Sequence, residues 1–431
     1  ADGSERRGDA ADRDGGRAVR RLDEWDAATL RDRAADHGTP LYVTDPERVR
    51  ENCARLRAAF PDADVRYAVK ANTARAVLGT VREAGLDAEC ASAGELRRAL
   101  DAGFSGERLH YTAVNPPARD LDSVVSWWGD HPALTVTVGA RDTLDRLRER
   151  GYDGRVCVRV NPGVGAGHHE KVRTGAAAKF GVPIERAAEL VADAREGFDV
   201  VGVHAHAGSG IHGEADLQAH REFVARMGEL ARDVGELEYV DVGGGFGVPY
   251  RETDDPLDLE AVAAATRDAL GDVDARLAVE PGRYVVADAG VLVTRVNTVK
   301  EARESLVAGV DAGMTDLLRP AMYGAYHPVG SLAPDADARE ELPVTVAGPV
   351  CESGDTFCED RPLPSPERGD LLAVGNAGAY GYEMASTYNS RPRPADVTPD
   401  GTVLREREAL ADLTRLEPAA GADGDGPGGE R

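Results

Sequence analysis

Between Asp64 and Arg283 short apolar runs alternate with longer amphipathic stretches, separated by polar or glycine-rich loops. The apolar runs are Val65–Lys70, Asp87–Ala91, Leu109–Thr112, Leu134–Val138, Arg155–Val160, Val200–His206, Glu238–Val242 and Leu277–Glu280. Their shortness and their valine content predict strands. Ala93–Asp101, Asp142–Arg150, Pro183–Arg195, Glu214–Val234 and Pro256–Leu270 are rich in Ala, Arg, Glu and Leu at helical spacing and predict helices. Eight alternating β and α units within about 220 residues predict a closed (β/α)8 barrel of the TIM type rather than an open doubly wound sheet. After Arg283 the texture changes: Val291–Val299, Ser305–Val310, Leu342–Val346 and Asp370–Val374 read as strands joined by Pro/Gly loops with little helix.

These patterns divide the chain into a tail over 1–20, a segment over 21–45 whose run Leu41–Thr44 joins the β domain, a barrel over 46–285, a C-terminal mainly β domain over 286–416, and a second tail over 417–431. Both tails are rich in Gly, Ala and Asp and lack apolar periodicity. Neither buries enough surface to offset its ordering entropy, so both are expected to be disordered.

Charge narrows the partners. With 51 Lys and Arg against 76 Asp and Glu, the net charge of −25 opposes approach to nucleic acid or an anionic membrane. No apolar run approaches the roughly 18 residues of a membrane span, and the N-terminal stretch is polar, so neither a span nor a signal peptide is expected. Cys53, Cys90, Cys157, Cys351 and Cys358 form no C-x-x-C pair and read as reduced thiols of a cytoplasmic protein, without a disulfide framework or zinc cage. All but four of the basic residues are arginine. Chemistry that needs a primary amine therefore has four candidates: Lys70, Lys171, Lys179 and Lys300.

The C-terminal ends of parallel barrel strands carry the chemistry of such folds, and here those ends are polar. The first ends Tyr67-Ala68-Val69-Lys70-Ala71-Asn72. A lysine in a desolvated barrel mouth has a lowered pKa and forms a Schiff base with an aldehyde. The sixth ends His204-Ala205-His206-Ala207-Gly208-Ser209-Gly210, where strand alternation puts both histidines on one face. The Gly-Ser-Gly offers backbone N–H groups and a hydroxyl to an anion. His-x-His also suits a metal, but no obvious carboxylate cluster at the other strand ends completes such a site. The seventh ends Asp241-Val242-Gly243-Gly244-Gly245-Phe246-Gly247, where glycines allow a phosphate close to the backbone. It is no dinucleotide fingerprint, because Val248 stands at the third glycine position. The eighth ends Glu280-Pro281-Gly282-Arg283. If a pyridoxal 5′-phosphate (PLP) ring sits on Lys70, a Glu near its nitrogen keeps that nitrogen protonated, and Arg283 suits a phosphate or carboxylate.

Three further segments stand out in the β domain: Arg319-Pro320-Ala321-Met322-Tyr323, Cys351-Glu352-Ser353-Gly354-Asp355 and Asn376-Ala377-Gly378-Ala379-Tyr380. Each alone also reads as ordinary core or loop.

Taken in order, from Tyr67–Asn72 to Tyr380, these segments resemble the fold-type III PLP-dependent decarboxylases, and among them the branch acting on diaminopimelate. The resemblance implies an alanine-racemase-like PLP barrel followed by a β domain that takes in an N-terminal strand. It implies that Lys70 holds PLP, His206 stacks on its ring, and Ser209 with Gly243, Gly244 and Gly245 cradles its phosphate. Glu280 would partner the pyridine nitrogen, with Pro281, Gly282 and Arg283 beside the cofactor. Arg283, Arg319 and Tyr323 would bind substrate carboxylates, and Tyr380 would touch cofactor and substrate. Cys351 would be the proton donor and Glu352 the reader of the distal ammonium, both reaching the neighbouring subunit of a homodimer. The family usually has Gln where this chain has Gly210, a departure that leaves the cofactor assignment intact.

The reaction so implied converts meso-2,6-diaminoheptanedioate to L-lysine and CO2, with a small-molecule amino acid as substrate. An ornithine/arginine or carboxynorspermidine decarboxylase is the alternative within the fold. Those substrates lack the second amino-acid carboxylate, and Cys351-Glu352 in place of Cys-Asp also leans towards diaminopimelate. A racemase would put arginine where Glu280 stands. A barrel metallohydrolase built on His204 and His206 is the alternative of another class, and a PLP-binding protein without catalysis would not need Cys351, Glu352, Arg319 or Tyr323. Lys171, Lys179, His168 and His169 read as loop residues, and Lys300 as a solvated edge residue. The acidic surplus with arginine in place of lysine is the composition of a protein kept soluble in concentrated salt, so a halophilic enzyme is expected.

Overall fold

The structure, a computed structural model, describes residues 18–163, 179–206, 208, 211, 213–301 and 306–418. Most of the two sequence tails, together with His168, His169, Lys171, Ser209 and Gly210, lies outside the described residues. The chain forms two compact units: residues up to Trp25 with Asp45–Ala289, and Asp26–Thr44 with the chain from Gly290 onward.

The first strand, β1 (Leu41–Thr44), belongs to the second unit. The first unit is built on eight parallel strands: β2 (Asp64–Ala68), β3 (Asp87–Cys90), β4 (Leu109–Tyr111), β5 (Thr135–Val138), β6 (Arg155–Asn161), β7 (Asp199–His204), β8 (Tyr239–Asp241) and β9 (Arg276–Val279). Each pairs with the next, and β9 returns to β2 with Ala278 opposite Asp64 and Val279 opposite Val65, which closes the barrel. Every strand lies within two residues of its expected run. The differences matter at two ends: β2 stops at Ala68, placing Lys70 in a 3-10 turn over Val69–Ala71, and β7 stops at His204, before His206.

The surrounding helices follow the apolar stripes of the sequence. Ser92 accepts the N–H of Glu95 at 3.2 Å while Glu95 accepts that of Ala91 at 2.7 Å, which starts the helix Ala93–Asp101 where expected. Asp258 accepts the N–H of Ala261 at 2.9 Å, so the helix expected from Pro256 begins at Leu259. The expected helix Pro183–Arg195 is a 3-10 turn, Ile184–Arg186, followed by α-helix Ala187–Arg195. The helices Glu214–Val234 and Leu259–Leu270 approach closely at Gly228, where a Cβ would lie 2.2 Å from the Leu270 carbonyl oxygen.

In the second unit β1 runs antiparallel to β10 (Gly290–Glu301) and parallel to a strand near the C-terminal end. The further strands are β11 (Leu306–Val310), β12 (Val329–Ser331), β13 (Glu341–Ala347), β14 (Thr356–Pro364), β15 (Leu371–Val374), β16 (Ala395–Val397) and β17 (Val403–Arg405). Tyr42, Leu292, Val296, Val344, Val346, Phe357, Leu372 and Val374 form its core. The strands β12, β14, β16 and β17 add to those expected from sequence. Among the described residues no helix is long and apolar enough to cross a membrane. All five cysteines are free thiols, with Cys351 alone exposed among them.

Candidate active site

The C-terminal ends of the barrel strands gather charged side chains that are buried despite lying in apolar sequence. Lys70 is exposed, and its Nζ lies 3.5 Å from Oε2 of Glu89, which β3 buries. Burial raises the Glu89 carboxyl above the ordinary range, and the Lys70 charge opposes that rise. Nε2 of His204 lies 3.2 Å from Oε2 of Glu280, both buried. Burial pushes His204 down to about 3, which favours its neutral imidazole, and against an ionised Glu280, which only accepts, Nε2 is the nitrogen that carries the hydrogen. Burial raises Glu280 in turn, opposed by Lys70, Arg66 and Arg159. His204 Nδ1 and Glu280 Oε1 remain buried without a hydrogen-bond partner of ordinary geometry among the described residues.

Asp241, at the end of β8, accepts from Arg66 Nη1 at 2.8 Å, and that guanidinium lies 3.8 Å over the Tyr239 ring. Burial and the neighbouring Glu280 charge raise Asp241 to about 6. His204, Asp241 and Glu280 offer ligand atoms within 4.8 Å of one another. This corrects the expectation that no carboxylates meet the His204 end. The group nevertheless carries its countercharge already, because Arg66 is bonded to Asp241 and Lys70 and Arg159 act on Glu280. Nor is His206 part of it: the two histidines do not act as a pair, because the strand ends between them.

His206 is turned instead towards the glycine loop, where its Nδ1 accepts the N–H of Gly244 at 3.1 Å. Burial, with Lys70 and Arg159 nearby, holds its imidazole well below the ordinary range. The loop tolerates no side chains. A Cβ at Gly243, where φ is +70°, would lie 2.6 Å from His206 Nδ1, and one at Gly244 would lie 2.3 Å from the Glu280 carbonyl oxygen. Gly245 has φ +110° and accepts the N–H of Ile211 at 2.8 Å. The Pro281 carbonyl accepts the N–H of Ala68 at 3.1 Å, which ties the end of β9 to that of β2. After Gly282, Arg283 opens the short helix Arg283–Val286, and its Nη1 donates to the Tyr250 hydroxyl at 2.6 Å.

These residues fit a PLP molecule. The lysine amine is accessible, the glycine loop brings bare backbone to one side, and the unpartnered Glu280 Oε1 is an acceptor suited to a ring N–H.

In the second unit Arg319 and Tyr323 open and close one helical turn. Arg319 is buried, with Nη1 2.8 Å from His327 Nε2, while Tyr323 is half-buried. Cys351 and Glu352 are exposed on the turn between β13 and β14. Asp355 anchors that turn by accepting the N–H groups of Val350 and Met314 at 2.6 and 2.5 Å. Glu352 accepts the Tyr388 hydroxyl at 2.6 Å, and Cys351 Sγ accepts from Asn389 Nδ2 at 3.6 Å. Tyr380, at φ +57°, ends the loop after β15. Sequence reading missed Glu89, Arg159, Arg66, Tyr250, His327, Tyr388 and Asn389. For Glu89 and Arg159 a signal existed: each is a charge flanked on both sides by apolar residues within a short strand, as in Ala88-Glu89-Cys90 and Val158-Arg159-Val160.

The family described as pyridoxal-dependent decarboxylase, pyridoxal binding domain, matches residues 46–287. The diaminopimelate decarboxylase of Methanothermobacter thermautotrophicus is 44% identical over 409 residues, covering 90% of this chain and 93% of that one. That of Deinococcus radiodurans is 41% identical over 396 residues, covering 90% and 98%. Among solved structures, diaminopimelate decarboxylase from Helicobacter pylori complexed with L-lysine superposes with a TM-score of 0.82 at 34% identity, covering 90% and 99%.

Proposed function

Because the chain belongs to the pyridoxal-dependent decarboxylase family, we propose that it releases CO2 from meso-2,6-diaminoheptanedioate (diaminopimelate) to leave L-lysine. One observation carries the reaction class: Glu280 is buried beside Asp241, its Oε1 has no hydrogen-bond partner of ordinary geometry among the described residues, and the charges of Arg66, Arg159 and the accessible Lys70 amine act on it. The substrate follows the relatives, which are diaminopimelate decarboxylases along nearly their whole length.

Lys70 would hold the PLP aldehyde carbon, Ser209 with Gly243, Gly244 and Gly245 its phosphate, and Glu280 its ring nitrogen. His206 would pack on the ring, and Pro281, Gly282, Arg283 and Tyr380 would line it. Bound there, PLP supplies an electron-withdrawing ring that accepts the electron pair left when the α-carboxylate departs as CO2. The protein's own work is to direct protons and charges. Glu280 would offer Oε1 as acceptor to the N–H of the ring nitrogen, and the charges of Lys70, Arg66 and Arg159 favour the ionised carboxylate that this needs, against the effect of burial. His206 stays neutral and adds no positive charge over the ring. Lys70, next to Glu89, accepts and returns protons as substrate enters and product leaves. Cys351 delivers the proton that replaces CO2 on the α-carbon.

Glu352 meets the distal ammonium of the substrate, and Arg319, Tyr323 and Arg283 meet its distal carboxylate. Ornithine and arginine leave that carboxylate site empty, which costs about 1–3 kcal/mol for each buried polar group left unpaired. Cys351 and Glu352 act in the site of a second copy of this chain, which makes the working form a homodimer. The exposed Cys351 thiol has to stay reduced to serve as an acid, which suits the cytoplasm.

The test is CO2 release by the PLP-loaded protein from meso-diaminopimelate, ornithine, arginine and carboxynorspermidine. Diaminopimelate is expected to be preferred by at least about a hundredfold in kcat/KM. Lys70→Ala is expected to lose both activity and the visible absorbance of lysine-bound PLP. Full activity in Lys70→Ala, or ornithine as the better substrate, would reject the reading.

A further inference from the structure

His327 is wholly buried in the second unit and lies between two groups that dictate its protonation. Its Nδ1 is 2.8 Å from the Gly375 carbonyl oxygen, which only accepts, so Nδ1 carries a hydrogen. Its Nε2 is 2.8 Å from Nη1 of Arg319, which only donates, so Nε2 carries none. The ring is held as the neutral Nδ1–H tautomer. A second proton would aim an N–H at a permanent cation.

The same imidazole joins two segments of the chain. Arg319 begins the helix that ends in Tyr323, while Gly375 follows β15 and starts the loop that ends in Tyr380. Next to it, the Gly375 N–H donates to the Pro328 carbonyl at 2.8 Å, so residues 327 and 328 grip Gly375 from both sides. On its other side the His327 carbonyl accepts from Arg361 Nη1 at 3.1 Å. A guanidinium is planar and rigid, so anchoring one N–H on a buried acceptor restricts the directions in which the others can point.

We propose that His327 is a positioning residue for substrate selection: its neutral ring sets the direction of the Arg319 fork and ties it to the loop bearing Tyr380. The inference rests on the reading of Arg319 as a ligand of the distal carboxylate. The role belongs to Nε2 as an acceptor, so two amide replacements separate it from simple packing. In His327→Gln the side chain reaches the Nε2 position and offers an oxygen to Arg319. In His327→Asn the shorter amide keeps a donor towards Gly375 and withdraws the acceptor from Arg319.

The experiment measures kcat, KM for meso-diaminopimelate and thermal midpoint in the PLP-loaded His327→Gln, His327→Asn and Arg319→Leu variants. His327→Asn is expected to raise KM about tenfold or more with kcat within about threefold, and His327→Gln to keep KM within about threefold. Equal KM values in Asn and wild type, or equal losses of kcat and thermal midpoint in Asn and Gln without a KM split, would overturn the inference. Should His327→Asn not fold, the Gln variant decides: KM near wild type supports the inference and a tenfold rise overturns it. An unchanged KM in Arg319→Leu would remove the carboxylate reading itself, whereas a raised KM there with none in His327→Asn would remove only the role of His327.

Discussion

The backbone N–H of Gly244 donates to Nδ1 of His206 at 3.1 Å, while the Gly244 α-carbon is pressed against the Glu280 main chain. One glycine thereby sets the tautomer of the ring and packs against the main chain of the residue that bears the carboxylate. A methyl group there would lie 2.3 Å from the Glu280 carbonyl oxygen, and backbone cannot swing aside as a side chain can. Gly244→Ala is expected to weaken PLP binding by about tenfold or more, since a displacement of about 1 Å at such a site is costly. Titration of the apo protein with PLP, followed by absorbance, measures it. Gly79→Ala is the control: nothing lies within 4 Å of its added methyl in the helix Arg75–Glu83, so affinity should hold and stability rise. Unchanged affinity in Gly244→Ala would remove the loop from the cofactor site.

A second prediction concerns acid stability. Thr266 donates its hydroxyl to the Val262 carbonyl at 2.7 Å, so at the 2.8 Å contact between Thr266 Oγ1 and His220 Nε2 the histidine donates. Burial, then the Arg221 charge, lowers the His220 imidazole to about 4. The unfolded chain titrates near 6.5 and the folded one about 4, so the unfolded state binds more protons between them. The contribution of His220 is complete above about 6.5 and is lost as pH falls towards 4, amounting to about 2 kcal/mol at pH 5. Urea unfolding at pH 7 and pH 5 should therefore show a smaller difference in His220→Gln than in wild type. Equal differences would show that the ring does not carry this linkage.

How far sequence reaches is visible in the same residues. The barrel was legible because each strand is a short apolar run and stretches of helical period lie between most of them, although the helices Arg75–Glu83 and Ala118–Trp128 were not among those expected. Lys70 was legible because a lysine ends an apolar run in a chain that has four lysines. Glu89 acquires meaning only when β2 and β3 pair and bring its carboxylate 3.5 Å from Lys70 across 19 residues. His327 is a lone histidine in a Pro/Gly loop until Arg319 and Gly375, the latter 48 residues on, close on it. The strand β14 was hidden by Glu359-Asp360-Arg361-Pro362, a charged run ending in proline that reads as loop. It lies at the sheet edge, paired with β13 alone, where charge and proline are tolerated and where Asp360 takes a left-handed φ of +46° at a register shift. The strands β12, β16 and β17, of three residues each, are too short to show alternation.

The third prediction tests Glu352 through its neighbour. Tyr388 donates to Glu352 Oε1 at 2.6 Å on an exposed surface, and the hydrogen bond holds the carboxylate in one orientation. If Glu352 reads the distal ammonium, Tyr388→Phe frees it to turn away without removing its charge. An exposed hydrogen bond to a charged group is worth about 1 kcal/mol, so KM for meso-diaminopimelate should rise about three- to tenfold while kcat moves less. Steady-state kinetics on the variant decide it. A fall in kcat at constant KM would shift the role of this turn from substrate reading to proton delivery by Cys351.

The last prediction follows from the charge of −25. Many arginines already lie against carboxylates at the surface, as in Arg155 with Glu238 at 2.6 Å and Arg150 with Asp122 at 2.7 Å. Such exposed pairs stabilise little, and screening weakens them further. Opposing them is the repulsion among the surplus carboxylates, which acts over a longer range and presses the folded chain apart. At about 1 M salt the Debye length falls to about 3 Å, which removes the long-range repulsion while sparing buried pairs such as Arg66 with Asp241. The two effects of salt therefore have opposite signs, and the unbalanced charge makes the repulsion the larger. The thermal midpoint and kcat are expected to rise together between 0.1 and 3 M KCl, the midpoint by about 10 °C or more. Replacing surplus surface carboxylates by their amides should flatten that rise, because it removes the repulsion that salt would otherwise screen. A midpoint that falls with KCl, or full activity at 0.1 M, would show that the acidic surface is not an adaptation to concentrated salt.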